Sequence, residues 1–535
     1  MAHDTATATA EPSPKEIRLV VGASSAGTVF EWYDFFIYAT LTTSGIIGST
    51  FFPSGNPALQ TLLAWAGFAV GFGFRPLGAI LFGYLGDKLG RKYTFLVTIT
   101  LMGLATAGIG LIPSTAAIGA AAPILLILCR VGQGLALGGE YGGAAIYVSE
   151  HAPPNKRGFY TSFIQASVIG GFVLSLAMVL LTKASMNEAA FVGWGWRLPF
   201  LFSLLLLAVS LWMRLMLSES PVFAAMREEG EISHNPFIES FTYPGNPKRI
   251  FVALFGVAAG LTTIWYTAMV YSLEFLKGPV HMEDTAAELI VCGGALLGSI
   301  MFIVFGKWSD RVGRKKPIII GYVLTLATLF PLFWAMGNAA NPSLELAAKS
   351  APVVVSGSGC EYDPFAKEQV SDCGKVLALL TAKGVKYSLT PGEAASVAVG
   401  DVVVDRMEPE AVETALKSAG YDFSPVVPAG GDIAVIVLCL LALSVLSGMT
   451  YGPVAALLSE MFPPKIRYSS MSIPYHFGTG YFGGFLPFIA SYIAASTGDP
   501  YSGLWYTWAV VLMALVVGIW GIPSGPPRDF ADDAR

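Results

Sequence analysis

Long apolar runs separated by short polar segments dominate the chain. A helix needs about 20 apolar residues to cross a bilayer, and twelve runs approach or exceed that length. They lie at residues 17–45, 58–84, 93–112, 121–148, 159–182, 196–216, 250–275, 286–306, 317–337, 433–458, 468–494 and 502–522. The pattern predicts an all-α membrane protein with twelve transmembrane helices. An even number of spans places both termini on the same side.

Two charged segments each occur twice. The loop Gly83–Lys92 (GYLGDKLGRK) recurs at Gly306–Lys315 (GKWSDRVGRK), a shift of 223 residues. The longer segment Tyr141–Arg157 recurs at Tyr451–Arg467, a shift of 310 residues. Repetition at this scale predicts two pseudo-symmetric six-helix bundles. Because the two shifts differ by 87 residues, the second half is expected to carry an insertion of about that size.

The insertion is expected at residues 338–432, between the ninth and tenth runs. It alternates strand-like stretches, such as Val397–Val404, with helical ones, such as Ala366–Lys383. This pattern predicts a small α/β module on the outer face. Cys360 and Cys373 both lie in it, and in an oxidising compartment a disulfide is the favoured interpretation, with two free thiols as the alternative.

The same pattern divides the whole chain. The expected parts are a disordered cytoplasmic tail at 1–16, an N-terminal bundle at 17–217, a cytoplasmic linker at 218–248, the first part of the C-terminal bundle at 249–337, the module at 338–432, the second part of that bundle at 433–522 and a tail at 523–535.

Composition and charge fix the class and the orientation. Apolar residues make up 54% and charged residues 13% of the chain, whereas roughly a quarter of the residues are charged in a soluble domain. With the N-terminus inside, 20 of the 32 Lys and Arg residues fall in cytoplasmic segments. The positive-inside rule therefore predicts a multi-pass protein with both termini cytoplasmic. Its expected location is the bacterial inner membrane.

Three further stretches, together with the repeated D-x-x-G-R-K loops, resemble a known family. These loops and the repeat of Tyr141–Arg157 at Tyr451–Arg467 resemble the major facilitator superfamily. Gly27–Tyr38, Arg75–Asp87 and Arg130–Ala144 resemble its metabolite:proton symporter branch, which includes proline/betaine, 2-oxoglutarate, citrate and shikimate permeases. The resemblance covers nearly all of the chain except the insertion. It implies secondary transport by alternating access, with the substrate near the midplane between the halves.

Ionisable residues inside the spans are the candidates for proton coupling, because each costs about 3 kcal/mol on insertion scales. Glu31 and Asp34 lie three residues apart, hence on one helix face. Their mutual repulsion favours a proton on one of them, and Asp34 is the favoured carrier. The alternative is that Arg partners neutralise both. Glu140 and His476 complete the predicted coupling set, with a structural role as the alternative for His476.

The candidates for substrate binding are cationic, polar and aromatic. Arg75 and Arg130 lie well inside spans, and their expected partners are the carboxylates of the first and fourth spans. Arg130 is expected either to contact a substrate carboxylate or to form a permanent ion pair. The predicted set is Arg130, Arg75, Gln133, Tyr38, Tyr266, Tyr271 and His476. Two buried Arg and a His favour a small organic anion.

The repeated loops are assigned a gating role. Their Asp residues are expected to cap helix termini or to pair with Arg, within a loop or across a helix pair, and so to hold the inner face closed. Orientation by positive charge alone is the alternative. The predicted gating residues are Asp87, Arg91, Asp310, Arg314, Arg157, Arg467, Glu150 and Glu460.

No feature indicates an enzyme. The chain has no phosphate-binding GxxxxGK[ST] motif and no Cys/His cluster with metal-ligand spacing, so no cofactor, metal or nucleic acid is expected. We predict a monomeric, proton-coupled symporter of a small organic acid. The alternatives are a symporter of zwitterionic osmolytes such as proline or betaine, an uncoupled facilitator and, from another class, a membrane solute sensor.

Overall fold

A computed structural model describes residues 14–89, 91–139, 141–215, 236–357, 359–392, 395–404, 407–463 and 466–525. Most of the predicted linker and both tails fall outside these ranges. We call the described residues up to 215 the N-terminal half and those from 236 the C-terminal half.

Helices make up the N-terminal half. Some begin at a capping residue: Asn56 accepts hydrogen bonds from the N–H groups of Ala58 and Leu59, and Pro57 follows it. The helices are α1 (Pro14–Thr43), α2 (Ile46–Phe51), α3 (Pro57–Gly73), α4 (Arg75–Leu89), α5 (Arg91–Leu111), α6 (Thr115–Ile118), α7 (Ala121–Gly138), α8 (Tyr141–His151), α9 (Arg157–Ala184), α10 (Glu188–Ala190) and α11 (Arg197–Leu215).

The C-terminal half contains helices and four short strands. In chain order these are α12 (Pro236–Thr242), α13 (Asn246–Phe251), α14 (Ala259–Tyr266), α15 (Ser272–Lys277), α16 (Asp284–Val312), α17 (Lys315–Ala340), α18 (Pro342–Ser350), β1 (Val353–Ser356), α19 (Asp372–Ala382), β2 (Tyr387–Thr390), β3 (Ser396–Val399), β4 (Val402–Val404), α20 (Pro409–Ser418), α21 (Gly430–Tyr451), α22 (Val454–Met461), α23 (Arg467–Phe477), α24 (Leu486–Thr497) and α25 (Leu504–Gly521). π-helical turns at Val252–Ala258 and Thr267–Tyr271 join α13, α14 and α15 into one helix.

Eight helical stretches among the described residues are long and apolar enough to cross a membrane, or nine if the pair bent by 56° at Trp196 is one span. The helices follow the predicted apolar runs, but several do not reach this threshold. In α1, Glu31 and Asp34 lower the mean hydropathy of the run. The protein is therefore a multi-pass helical membrane protein, and the number twelve stays a prediction.

The two halves meet along helices α9 and α16, which run antiparallel. Small residues allow this close approach: a Cβ atom on Gly306 would lie 2.6 Å from the carbonyl oxygen of Gly158. One continuous apolar core extends through both halves. The contact surface between the halves is thus packed along the length of this helix pair.

Between α17 and α21 the chain forms a mixed sheet with strand order β2-β1-β3-β4. β1 pairs in parallel with β2 and antiparallel with β3, and β3 turns into β4 at Gly400, whose φ is +59°. α19 begins at Asp372, later than the predicted helical stretch, because the Ser371 hydroxyl caps the N–H of Gly374. A disulfide joins Cys360 to Cys373, with their Cα atoms 5.4 Å apart.

This inserted module has its own apolar core and rests on one end of the helices. Asn56 Nδ2 donates to the carbonyl of Ala366 (2.9 Å), and the N–H of Tyr387 donates to the carbonyl of Gly498 (3.1 Å). The module therefore contacts both halves.

Candidate functional site

Asp34 lies in the middle of α1 and is only 5% exposed. Its Oδ1 atom is buried and has no hydrogen-bond partner among the described residues. Glu31, three residues earlier on the same face, is half-buried. Burying a carboxylate without a partner is far more costly while it is ionised, and a proton lowers that cost. The position suits a group that takes up and releases a proton.

Arg130 is fully buried in α7, and neutral groups hold its guanidinium. Nη1 donates to Gln133 Oε1 at 2.6 Å, while Nε and Nη2 donate to the carbonyls of Gly67 (3.2 Å) and Phe68 (3.3 Å). Among the described residues these partners are uncharged, and the carboxylate expected from the fourth span lies outside those residues, so a carboxylate partner of Arg130 stays a prediction. Gly71 leaves room for the guanidinium against α3, where a Cβ would lie 2.7 Å from Nη2.

Aromatic rings complete the surroundings of Arg130. Its guanidinium carbon lies 4.3 Å from the ring centre of Phe35 and 4.4 Å from that of Tyr38. The Tyr38 hydroxyl donates to the carbonyl of Ala64 at 2.9 Å. Tyr38 is therefore used inside the N-terminal half, and its predicted substrate contact stays a prediction.

Gln133 connects the guanidinium to α1. Its Nε2 donates to the backbone carbonyl of Asp34 (3.2 Å) and to Thr106 Oγ1 (2.7 Å), and its Oε1 accepts from Arg130. Gln133 and Arg130 both belong to the predicted substrate-binding set. In the structure Arg130 bonds to Gln133, and Gln133 bonds to the backbone of Asp34.

Arg75 and Tyr266 lie where the two halves touch. The guanidinium carbon of Arg75 is 5.0 Å from the ring centre of Phe72 and 5.3 Å from that of Trp32. The Tyr266 ring meets Phe72 edge to face at 5.5 Å, and its buried hydroxyl has no hydrogen-bond partner among the described residues. The Arg75 charge is near enough to interact electrostatically with Tyr266.

His476 joins this group from the C-terminal half. It is fully buried beside Tyr475, with ring centres 5.7 Å apart, and lies within electrostatic range of Arg75. Tyr271 does not join it. Its hydroxyl lies 3.4 Å from the carbonyl of Pro500, at the end of the helices that carries the inserted module. Arg75, Tyr266 and His476 are therefore the predicted binding residues that the structure brings together between the halves.

A charged cluster, which we call the Asp310 cluster, joins the halves at one end of α16. Arg314 binds Asp310 at 2.7 Å and Glu460 at 2.8 Å. The Asp310 carboxylate also accepts the N–H groups of Gly158 (2.8 Å) and Phe159 (2.9 Å) at the start of α9. A carboxylate is favoured at a helix N-terminus, so the cluster ties the C-terminal half to the N-terminal one.

Residues of the second repeat meet their counterparts beside this cluster. Ser149 Oγ and Ser459 Oγ, which occupy equivalent positions in the repeat, lie 2.7 Å apart. Glu150 pairs with Arg467 across the halves at 3.6 Å, and Arg157 Nε donates to the Ser149 carbonyl at 3.3 Å. The local pseudo-twofold axis therefore passes near the serine pair.

A second cluster, the Glu288 cluster, lies at the other end of the same helix pair. The fully buried Glu288 of α16 binds Lys183 of α9 and Lys277, both at 2.9 Å, and accepts from Ser44 at 3.3 Å. The sequence analysis missed this cluster. Lys183 and Lys277 lie at the ends of apolar runs, where the ammonium group of a Lys is usually solvated. Only the fold shows that both side chains bind Glu288.

Three predicted residues cannot be placed. Glu140 lies outside the described residues, and the side chains of Asp87 and Arg91 lie outside the described side chains. Their roles stay predictions.

The chain is similar to known transporters. The family model described as sugar (and other) transporter matches residues 19–239. The inner membrane metabolite transport protein YhjE of Escherichia coli K12 is 32% identical over 91% of this chain and 90% of its own length. A proline/betaine transporter of Salmonella typhimurium is 36% identical over 59% of this chain and 64% of its own length. The shikimate transporter of E. coli K12 is 38% identical over 58% of this chain and 71% of its own length.

A solved structure shares the fold. The partially occluded, inward-open xylose transporter XylE of E. coli superposes with a TM-score of 0.60 over 96% of this chain and 99% of its own, at 16% identity. The relatives show that this chain is a transporter rather than an enzyme, and it belongs to the major facilitator superfamily, among the metabolite transporters.

Proposed function

We propose that this protein is a proton-coupled symporter that carries a small organic acid by alternating access. The observation that carries the proposal is the buried Asp34 carboxylate, whose Oδ1 has no hydrogen-bond partner among the described residues. It stands on a helix whose aromatic side chains contact the C-terminal half: Phe36 stacks on Trp265 at 5.2 Å. A proton bound there can respond to movement of the halves.

Charge balance connects the proton to an organic anion. With both carboxylates of α1 ionised, Glu31 and Asp34 offset the charges of Arg75 and Arg130. A proton on Asp34 leaves one excess positive charge in a low-dielectric region, which a substrate carboxylate neutralises. Loading with a proton and an anion together is therefore favoured over loading with either alone.

The two cross-half clusters supply the gates. The Asp310 cluster is the cytoplasmic gate and the Glu288 cluster the outer gate, because most Lys and Arg residues of the polar segments fall on the Asp310 side. In this assignment the protein is a monomer of the bacterial inner membrane with twelve spans, cytoplasmic termini and an extracytoplasmic module. With both clusters formed, both gates would be closed, so the described contacts support an occluded state.

The similarity to a proline/betaine transporter supports a second candidate, a symporter of zwitterionic osmolytes. Charge distinguishes the two candidates, since a zwitterion adds no net charge to the site.

The test is uptake into proteoliposomes under an inward proton gradient. Labelled carboxylates, including shikimate and 2-oxoglutarate, are compared with proline and betaine. We expect carboxylates to accumulate and a protonophore to dissipate them. Accumulation of betaine alone would indicate the osmolyte symporter. Equilibration without accumulation would indicate an uncoupled facilitator, and binding without flux would indicate a solute sensor.

The Asp34→Asn variant tests the proton site. We expect it to lose gradient-driven accumulation but to keep exchange of labelled for unlabelled substrate, because an amide occupies the same space and cannot cycle a proton. Asp401→Asn, in the exposed β3–β4 turn, is the matched control and should behave as wild type. Undiminished accumulation in Asp34→Asn would contradict the assigned role.

A further inference from the structure

A cavity of about 250 Å³ lies between the inserted module and the ends of the helices. Its walls come from three parts of the chain. The N-terminal half contributes Trp65 of α3, the C-terminal half Glu274 of α15 and Ser491 of α24, and the module Thr381 and Val385. None of the residues around Asp34 and Arg130 lines it. The cavity is therefore separate from the proposed transport site.

Glu274 is the only charged side chain among the residues that line this cavity. Its Oε1 accepts a hydrogen bond from Ser491 Oγ at 2.6 Å. Its Oε2 is buried and has no hydrogen-bond partner in the described part of the chain. Buried carboxylate oxygens nearly always have a partner, and the nearest donor the protein offers to this atom is the Trp65 indole, so a ligand can supply a better one.

Aromatic rings surround the carboxylate. Trp65, Tyr271 and Phe275 all line the cavity. The Trp65 indole nitrogen faces Glu274, yet it forms no hydrogen bond of normal geometry. A single carboxylate among aromatic faces attracts an organic cation, through its charge and through cation–π contacts, and repels an anion.

A hydroxyl stands on the module side of the same space. Thr381 Oγ1 is buried near the Tyr387 side chain and forms no hydrogen bond of normal geometry among the described residues. It can donate to an acceptor group carried by a ligand whose cationic end lies at Glu274. The cavity volume is suited to a small compound of this kind.

We propose that this cavity binds a small organic ammonium compound, with Glu274 Oε2 holding the cationic group and the inserted module closing the site. The inference goes beyond the proposed function. It concerns a different cavity and a ligand of opposite charge, and it gives the module a role in binding.

The experiment is a calorimetric titration of the purified full-length protein with tetramethylammonium chloride, in the absence of any gradient and with sodium chloride as the ionic control. Glu274→Gln removes the charge and keeps the shape. Ala494→Phe fills the cavity from α24. Glu410→Gln, on the exposed side of α20, is the matched control for loss of a carboxylate.

Saturable binding to wild type and to Glu410→Gln is expected, with affinity at least tenfold lower in Glu274→Gln and no saturable binding in Ala494→Phe. Thermal unfolding of each variant checks its fold, and Ala494→Phe decides the question if Glu274→Gln is unstable. Equal affinities for wild type and Glu274→Gln, or no saturable binding to wild type, would overturn the proposal. Neither result depends on transport, so the outcome is independent of the proposed symport.

Discussion

The Asp310→Asn variant tests whether the Asp310 cluster holds the halves together. Asp310 makes the two hydrogen bonds that cross from the cluster to the start of α9, to Gly158 N at 2.8 Å and to Phe159 N at 2.9 Å. Its Oδ1 also accepts from Arg314 at 2.7 Å. Asparagine keeps the size of the side chain but replaces one acceptor oxygen by a donor, so one of the two crossing bonds is lost and the other becomes uncharged.

The expected cost follows from these contacts. Hydrogen bonds to charged groups contribute about 1.5–3 kcal/mol each, against about 1 kcal/mol for a neutral one. Both crossing bonds exist only while this face is closed. The closed arrangement should therefore lose about 2–4 kcal/mol, and at about 1.4 kcal/mol per tenfold change the equilibrium shifts roughly 30-fold to several hundred-fold towards opening.

The assay uses the serine pair beside the cluster. The hydroxyl oxygens of Ser149 and Ser459 are 2.7 Å apart, so cysteines at both positions should cross-link under mild oxidation only while the face is closed. The free cysteines Cys129, Cys292 and Cys439 are first replaced by Ala. We expect the cross-linking rate in proteoliposomes to fall in Asp310→Asn and to stay unchanged in the control Asp401→Asn. Equal rates in the two variants would refute the assignment of this cluster as a gate.

Two further predictions concern stability. Arg130→Lys should lower the free energy of unfolding by about 1.5–3 kcal/mol, because an ammonium group cannot reach both backbone carbonyls and the Gln133 amide at once. Thermal unfolding of the purified protein measures this change. An unchanged midpoint would contradict the assigned contacts. Replacing Cys360 and Cys373 by Ser should destabilise the inserted module by about 3 kcal/mol, as expected for a loop of this length. Limited proteolysis should then cleave the module faster than the helices. Equal protection of the module with and without the disulfide would contradict this prediction.

The sequence predicted the apolar runs, the repeat between the halves and the pairing of Asp310 with Arg314, because each depends on local pattern or on the repeat. It did not predict the partners of Arg130. Those partners include backbone carbonyls of α3, and which helix packs against α7 is decided by Gly71 and other small residues whose contacts appear only in the fold. It also missed Glu288, because the residues that bind it are far apart in the chain and each one alone resembles a solvated end of a span.

The two clusters share one helix pair, which limits how the gates can move. Glu288 and Asp310 stand near opposite ends of α16, roughly 33 Å apart at 1.5 Å per residue. Each binds α9 at one of its ends, since Lys183 is near the last residue of α9 and Gly158 near the first. A tilt of α16 against α9 by about 10° around the middle moves each end by roughly 3 Å, which is enough to break a hydrogen bond. A rigid tilt that separates one cluster compresses the other.

This coupling predicts how two variants combine. Glu288→Gln should weaken the ion pairs with Lys183 and Lys277 and favour opening at that end, opposite to the effect of Asp310→Asn. Because the sites are far apart and share no partner, their effects on the equilibrium should add. The double variant should therefore return the ratio of the two open states towards the wild-type value while the occluded state becomes rarer. Labelling with membrane-impermeant reagents from each side measures the ratio. A double variant as biased as Asp310→Asn alone would show that Glu288 does not hold its end of the helix pair closed.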